Sequence, residues 1–230
     1  MIQHVFFDLD RTLWDFDSNS DLALRELFFE FNLDKKIDNP DTFITKYKEI
    51  NDDYWNNYRI GKTTKEALRS GRFYDALVHF SYKNQQLAED LGNRYLELCP
   101  TLTKLFPGTL EMLSSLQDLG INLHIITNGF SESQHIKLTN CGLIDYFKVI
   151  VCSDEIAISK PDPGIFLEAM KRAEASPKTS IMIGDHPEID VLGATAVGMR
   201  GILFNPEENY SVSPNFEQIH QDHNQKLGMN

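Results

Sequence analysis

Two aspartates, Asp8 and Asp10, follow a short apolar run near the start of the chain. In an extended segment, side chains two residues apart point to the same side, so these carboxylates are expected to lie close together. Neighbouring carboxylates repel each other, and a bound divalent cation is the simplest way to relieve that repulsion. The same spacing also occurs in turns and helix caps, so the pair needs support from other parts of the chain.

Two later segments carry groups that suit an anion. Thr127 and Asn128 precede a predicted helix that begins at Ser131, where a hydroxyl beside free backbone N–H groups can hold a phosphate. Lys160 is followed by Pro161, which stiffens the backbone beside a side chain able to reach the same phosphate. Taken singly, the first segment is as typical of an ordinary helix cap, and the second of a surface turn.

A second acidic segment follows a later apolar run. Asp185 comes directly after Gly184, and Asp190 lies on the predicted helix that follows. They place one carboxylate at the carboxyl end of a predicted strand and a second on the next helix, although each is also a common helix cap. His186 is adjacent to Asp185, and we assign it no role.

The elements that must position these groups alternate along the chain. Short apolar runs rich in β-branched and aromatic residues predict strands buried on both faces, at 4–9, 121–127, 149–152, 180–184 and 201–204. Helix-length amphipathic segments lie at 108–119, 131–141, 162–175 and 187–197. This alternation predicts an α/β fold with a doubly wound parallel sheet, in which ligands bind beyond the carboxyl ends of the strands. Each of the polar motifs above follows such a strand end or, in the case of Lys160, comes soon after one.

One stretch interrupts the alternation. Residues 16–101 show only helical patterns, which predicts an all-helical insertion after the first strand. We therefore expect an α/β catalytic core made of residues 1–15 and 102–230, with residues 16–101 as a helical cap. The polar tail after Asn205, which includes His220 and His223, is expected to lie on the surface.

Composition excludes several classes of protein. The chain has 230 residues and a formal charge of −12, which disfavours a long nucleic acid as partner. It contains no apolar run of about 18 residues and no secretion signal, so we expect a cytoplasmic protein without a membrane partner. Its three cysteines, Cys99, Cys141 and Cys152, show no C-x-x-C spacing and indicate neither a disulfide framework nor a zinc site. The oligomeric state stays open.

In chain order, the four motifs resemble the signature of the haloacid dehalogenase superfamily, over Val5 to about Asn205. The resemblance implies an α/β core with a helical cap inserted after the first strand. It also implies Mg²⁺-dependent hydrolysis of a small phosphorylated metabolite through an aspartyl-phosphate intermediate.

The resemblance also implies a role for each residue. Asp8 would be the nucleophile and a metal ligand, and Asp10 the general acid and base that also binds Mg²⁺ through its main-chain carbonyl. Thr127 and Lys160 would bind the phosphoryl oxygens, with Asn128 near them. In the metal site, Asp185 would bind the ion and Asp190 would support it indirectly.

Arg11 departs from the pattern of the superfamily, which often has glycine directly after the second aspartate. We interpret it as a tolerated variant, either a solvated side chain or a cation near the mouth of the site.

Three other functions are compatible with parts of this pattern, and features of the sequence argue against each. Haloacid dehalogenases share the fold, but they lack the second aspartate and need no metal. Phospho-accepting receiver modules are shorter and have no insertion after the first strand. A scaffold without activity is disfavoured because every expected chemical group is present. Within the phosphatases, sugar phosphates are the alternative substrates.

A finer resemblance is to the bacterial house-cleaning pyrimidine 5′-nucleotidases. It rests on Trp55 to Phe73 in the insertion and on the core segments 126–130 and 141–147. This resemblance implies nucleoside 5′-monophosphates as substrates, pyrimidine ones foremost. Three arginines of the insertion could stack on a base or bind its carbonyls: Arg59, Arg69 and Arg72. The alternative is that the aromatic residues pack the helices together and the arginines are solvated.

Overall fold

The computed structural model describes residues 1–206. Their sheet contains β1 (His4–Phe7), β2 (Asn122–Thr127), β3 (Phe147–Cys152), β4 (Ser180–Gly184) and β5 (Arg200–Leu203). The strands lie in the order β3-β2-β1-β4-β5, and every neighbouring pair is parallel. The chain therefore begins in the middle of the sheet, with the ends of β2 and β4 on either side of the end of β1. This confirms the predicted α/β fold.

The first strand is shorter than the apolar run that predicted it. The Asp8 N–H still donates to the Ile183 carbonyl, at 2.9 Å, but the chain turns immediately afterwards. Both the Leu13 and the Trp14 N–H groups donate to the Leu9 carbonyl, at 3.0 and 2.9 Å. Because this turn ends the extended conformation, the alternation of side chains that we assumed for the first two aspartates does not continue past Leu9.

The insertion contains α1 (Phe16–Glu30), α2 (Pro40–Arg59), α3 (Lys65–His79) and α4 (Gln85–Leu98). Each of the last three is preceded by a residue whose side chain accepts a backbone N–H of the first turn: Asn39, Thr64 and Asn84. Residues 17–102 form one compact unit, and residues 1–16 with the chain from 103 onward form another. The boundaries expected from the sequence each lie one residue away from these.

The remaining helices belong to the sheet-containing unit: α5 (Thr109–Asp118), α6 (Ser131–Asn140), α7 (Ser153–Ile156), α8 (Pro163–Arg172) and α9 (Gly193–Ala196). The single helix predicted over 187–197 is wrong in detail, because Pro187–Leu192 forms a π-helical turn before α9. In this turn, the N–H groups of Asp190 and Val191 both point to the His186 carbonyl, at 3.0 and 3.4 Å. The wider turn changes the direction in which Asp190 projects.

The sheet is buried where α8 packs on it. One core cluster joins Phe6 and Met182 of the sheet to Ile165 and Phe166 of α8, with each side chain at most 3% exposed. Burial of this kind explains why the strands read as continuous apolar runs rather than as alternating ones. Within residues 1–206, no helix is long and apolar enough to cross a membrane. The predictions for the polar tail, with His220 and His223, lie outside the described residues apart from its first positions.

Candidate active site

Three carboxylates meet beyond the carboxyl ends of β1 and β4. Asp8 follows β1, Asp185 follows β4, and Asp190 lies in the π-helical turn. One carboxylate oxygen from each lies within 4.8 Å of the others. Asp8 is 8% exposed and Asp190 only 1%. Burying several carboxylates together is unfavourable unless cations compensate them, so this group indicates a cation site.

Lys160 supplies one of those cations. Its side chain is 2% exposed, and its Nζ donates to Asp8 Oδ1 at 2.7 Å and to Asp190 Oδ1 at 2.6 Å. Burial acts to lower the pKa of Lys160, but the charges of Asp190 and Asp8 outweigh it and hold the pKa above its usual value. The ammonium therefore stays charged between the two carboxylates.

One ammonium does not compensate three carboxylates. Burial raises the pKa of Asp8 well above its usual value, and the charges of Asp190 and Asp185 add to this effect while Lys160 opposes it. Burial and the charge of Asp190 also raise the pKa of Asp185. A divalent cation would neutralise the excess negative charge, and a site built from oxygen atoms suits Mg²⁺. The residues present therefore fit the expected metal.

Asp10 does not join this group with its side chain. Its Oδ1 accepts a hydrogen bond from Lys137 Nζ at 2.5 Å, and its Oδ2 accepts one from Gln134 Nε2 at 2.9 Å. Both donors lie on α6, and the carboxylate is 26% exposed. We expected the carboxylates of Asp8 and Asp10 to lie side by side and share a cation. Instead, the carboxylates that lie close to Asp8 are those of Asp185 and Asp190.

Sequence reasoning missed Gln134 and Lys137. Both are buried, at 1% and 5% exposure, and they lie three residues apart on one face of α6. Gly129 makes room for the first, because a Cβ at that position would lie 1.7 Å from Gln134 Nε2. Lys137 Nζ also lies 4.2 Å from the centre of the Trp14 ring, a cation–π contact. A polar pair at helical spacing directly after the Thr127 motif was the available signal.

Thr127 and Asn128 lie at the end of β2, as predicted, but they have different partners. Thr127 is 1% exposed, and its Oγ1 accepts the Gly129 N–H at 3.0 Å. The Asn128 amide pairs with the main chain of Lys160, because its Oδ1 accepts the Lys160 N–H at 2.8 Å and its Nδ2 donates to the Lys160 carbonyl at 3.0 Å. Asn128 thus fixes the segment that carries Lys160. Its contact with phosphate stays a prediction.

Asp190 is fixed by its own neighbours. Its Oδ2 accepts the His186 N–H at 3.0 Å, and a Cβ at Gly184 would lie 2.3 Å from its Cγ. Glycine at 184 is therefore required for the close approach of Asp190 to β4. The His186 ring nitrogen Nδ1 accepts the N–H groups of Glu188 and Ile189, both at 3.3 Å. His186 is thus a structural cap of the π-helical turn.

Arg11 has a left-handed backbone, with φ of 64°. Glycine adopts this conformation without strain, which explains why it is common at this position in the superfamily. The guanidinium carbon of Arg11 lies 4.8 Å from the centre of the Phe16 ring, and its positive charge acts to lower the pKa of Asp185. Of the two interpretations of Arg11, the structure supports a cation near the site.

Arg72 lies in the interior of the helical unit. It is 3% exposed, and its Nη1 donates to Asn51 Oδ1 at 2.6 Å. Its guanidinium carbon lies between 5.2 and 5.7 Å from the ring centres of Tyr47, Phe73 and Tyr95. The proposal that Arg72 stacks on a substrate base is corrected, because its side chain is used in packing the helices.

Arg72→Ala is therefore expected to destabilise the protein by about 3 kcal/mol, since it removes a buried charged hydrogen bond and desolvated cation–π contacts. Arg59→Ala is the matched control, because Arg59 is only partly buried and bonds to Asn56 of the same helix. We expect that control to change stability by less than about 0.5 kcal/mol. Urea unfolding of both variants measures the difference, and equal stabilities would contradict the structural role of Arg72.

Comparison with known proteins identifies the family. The family model described as haloacid dehalogenase-like hydrolase matches residues 2–198. The pyrimidine 5′-nucleotidase YjjG of Escherichia coli (strain K12) is 31% identical over 202 residues, 87% of this chain and 85% of that protein. A glyceraldehyde 3-phosphate phosphatase of Methanothermobacter thermautotrophicus is 32% identical over 235 residues, 100% of this chain and 93% of that protein.

A solved structure gives the same result. The HAD-hydrolase YfnB from Bacillus subtilis, described as bound to magnesium, matches with a TM-score of 0.84 and 28% identity, over 97% of this chain and 99% of that one. The chain belongs to the haloacid dehalogenase-like hydrolases. Within that family it is a phosphatase, as its relatives and its second aspartate, Asp10, indicate.

Proposed function

We propose that the chain is a Mg²⁺-dependent phosphatase in which Asp8 attacks the phosphoryl group and forms an aspartyl-phosphate. The observation that carries this proposal is the gathering of the buried Asp8 and Asp190 with the half-buried Asp185, where Lys160 Nζ lies 2.7 Å from Asp8 Oδ1 and 2.6 Å from Asp190 Oδ1. The group lies at the strand ends where parallel sheets bind their ligands.

Positive charge must accompany the attack, because a carboxylate and a phosphate dianion repel each other. Lys160 supplies part of that charge beside the Asp8 carboxylate, through its bond to Oδ1. Asp8, Asp185 and the main-chain carbonyl of Asp10, supported by Asp190, would hold Mg²⁺, which supplies further positive charge at the transferring group.

The phosphoryl oxygens are assigned to two groups, one at the end of β2 and one in the segment between α7 and α8. Thr127 offers its hydroxyl at the end of β2, and Lys160 offers its ammonium group. Asn128 acts through Lys160, because its amide holds the main chain of that residue on both sides. We assign it a positioning role in addition to the predicted proximity to phosphate.

Asp10 performs both proton transfers. As the bond between phosphorus and the leaving oxygen breaks, the protonated Asp10 gives its proton to that oxygen. The resulting carboxylate then takes a proton from the water that attacks the aspartyl-phosphate, which releases phosphate and regenerates Asp8. Lys137 and Gln134 hold the carboxyl group in place for both steps, through the bonds at 2.5 and 2.9 Å.

For the substrate we propose nucleoside 5′-monophosphates, with pyrimidine nucleotides preferred. The support is the resemblance of the chain to nucleotidases, among them YjjG at 31% identity. Arg72 no longer contributes to this proposal. Of the three arginines first considered, Arg59 and Arg69 remain the proposed base-binding groups. A sugar phosphate is the second candidate, because a glyceraldehyde 3-phosphate phosphatase is 32% identical over the whole chain.

The metal requirement is tested by chelation. Phosphate release from a nitrophenyl phosphate is expected to fall to background when a chelator is added in excess, because the acidic group around Asp8 then loses the charge that offsets its repulsion of the substrate. Added Mg²⁺ should restore the rate. Undiminished turnover in excess chelator would contradict the proposal that Asp8 and Asp185 bind a metal ion.

The substrate is tested by a phosphate-release screen with Mg²⁺ over nucleoside monophosphates, sugar phosphates and phosphoamino acids. We expect kcat/KM for a pyrimidine nucleotide to exceed that for any sugar phosphate by at least about tenfold, which corresponds to about 1.4 kcal/mol of selective binding. Arg59→Ala and Arg69→Ala should lower this ratio without changing turnover of a nitrophenyl ester. A sugar phosphate that exceeds every nucleotide would overturn the substrate proposal and leave the phosphatase assignment intact.

A further inference from the structure

A second group of metal-binding side chains lies in the sheet-containing unit and shares no residue with the aspartate group. His135 on α6, Cys152 at the end of β3 and Glu155 on α7 each place one ligand atom within 4.8 Å of the other two. Cys152 is fully buried, whereas His135 and Glu155 are exposed. The sulfur therefore lies at the base of the group and the other two ligands lie at its solvent side.

Ser131 organises the exposed ligands. Its hydroxyl donates to Glu155 Oε1 at 2.6 Å, and its carbonyl oxygen lies 2.9 Å from His135 Nδ1. The same Nδ1 lies 3.3 Å from the Ser131 hydroxyl oxygen. Because a carbonyl oxygen only accepts, we place the proton on Nδ1 and the lone pair that can bind a cation on Nε2. A histidine whose other nitrogen donates to a backbone carbonyl is the arrangement typical of metal ligands.

The ligand types select the ion. A thiolate, an imidazole and a carboxylate together suit Zn²⁺ and related transition metals, whereas Mg²⁺ prefers oxygen ligands alone. Tetrahedral Zn²⁺ with such ligands requires separations of about 3.3–3.8 Å between ligand atoms. The three ligand atoms lie within 4.8 Å of one another, so side-chain rotation must bring them closer when the cation binds. We propose that His135, Cys152 and Glu155 bind a thiophilic divalent cation such as Zn²⁺, at a site separate from the magnesium site.

Two competing interactions must give way when the cation binds. Burial raises the pKa of the Cys152 thiol to about 12, so the metal–sulfur bond must displace its proton, which leaves to solvent. Glu155 Oε2 lies 3.8 Å from Arg172 Nη1, a partly exposed ion pair of small strength. Arg172 also bonds to Glu168, at 2.9 Å, so it keeps a partner when Glu155 turns to the metal.

Co²⁺ is the probe for this site, because a cobalt–thiolate bond produces an intense near-ultraviolet absorption that oxygen ligands do not. The full chain is first saturated with Mg²⁺ and then titrated with Co²⁺. We expect the thiolate band to saturate at one Co²⁺ per chain and to vanish when Zn²⁺ displaces the cobalt. Absence of the band in the wild-type protein would overturn the proposal.

Variants locate the ligands. Cys152→Ala is expected to abolish the band, and Cys141→Ala, which alters a half-buried cysteine outside the group, is expected to keep it. His135→Ala and Glu155→Gln change exposed residues, so they test the site even if Cys152→Ala does not fold. Each should weaken Zn²⁺ binding, measured by calorimetry, by at least about tenfold. Wild-type affinity in both variants, or a band that persists in Cys152→Ala, would contradict the proposal.

Discussion

Asp8→Asn is expected to lower kcat by at least about a thousandfold. The amide that replaces the carboxylate cannot form an aspartyl-phosphate, so the nucleophilic route is lost rather than weakened. The change preserves the shape of the side chain, and Lys160 keeps Asp190 as a partner at 2.6 Å. Steady-state phosphate release from a nitrophenyl phosphate measures the effect.

Asp118→Asn serves as the control, because Asp118 is an exposed carboxylate at the end of α5. Its kcat should stay within about twofold of the wild-type value, as is usual for surface changes away from a site. Circular dichroism of both variants shows whether the fold is intact. Near-normal kcat in a folded Asp8→Asn variant would mean that another residue is the nucleophile.

Asp10→Asn is expected to lower kcat by about a hundredfold to ten-thousandfold, and by an amount that depends on the leaving group. The variant keeps the Asp8 nucleophile but removes the proton donor. The nucleoside released from a nucleotide is a poor leaving group and needs that proton, whereas nitrophenolate needs little protonation. The loss should therefore be larger for a nucleoside monophosphate than for a nitrophenyl phosphate.

The comparison between the two substrates is its own control, because any general damage to the site lowers both rates together. Asn at position 10 also places an amide N–H₂ near Lys137 or Gln134, which now contact the two carboxylate oxygens. Equal losses on both substrates would therefore indicate that Asp10 acts by positioning α6 rather than by transferring protons.

The sequence was sufficient to predict the sheet and the meeting of its motifs, for a physical reason. Val5, Phe6 and Phe7 are fully buried, and a strand covered on both faces produces such a continuous apolar run. Parallel strands also end at one edge, so residues such as Asp8 and Asp185, far apart in sequence, had to converge there.

The sequence could not predict which face of a helix meets the site. The segment of Gln134 and Lys137 has the periodicity of a surface helix, and nothing in that periodicity says that Asp10 lies opposite its polar face. The π-helical turn that directs Asp190 toward Lys160 is also set by tertiary packing, since a uniform α-helix fits the same sequence. Both features depend on contacts between segments more than 25 residues apart.

Tertiary structure bears on two expectations that rested on residue type or local spacing, one for the arginines and one for the cysteines. An arginine is usually exposed, but Arg72 is buried because three rings and Asn51 surround its guanidinium group. The absence of C-x-x-C spacing argued against a zinc site, but that rule considers only ligands close in sequence. Pairing of β2 with β3 brings Cys152 near His135, which no spacing rule would detect.

The central claim is that Asp8 carries the phosphoryl group, and trapping the phosphorylated enzyme tests it most directly. The Asp10→Asn variant is mixed with a nitrophenyl phosphate and Mg²⁺ and quenched in acid, because loss of the base should slow hydrolysis of the intermediate. Mass spectrometry of the digested protein should then find one phosphoryl group on the peptide that contains Asp8. In the double variant that also carries Asp8→Asn, this peptide should carry none. A phosphoryl group on a different residue would contradict the account.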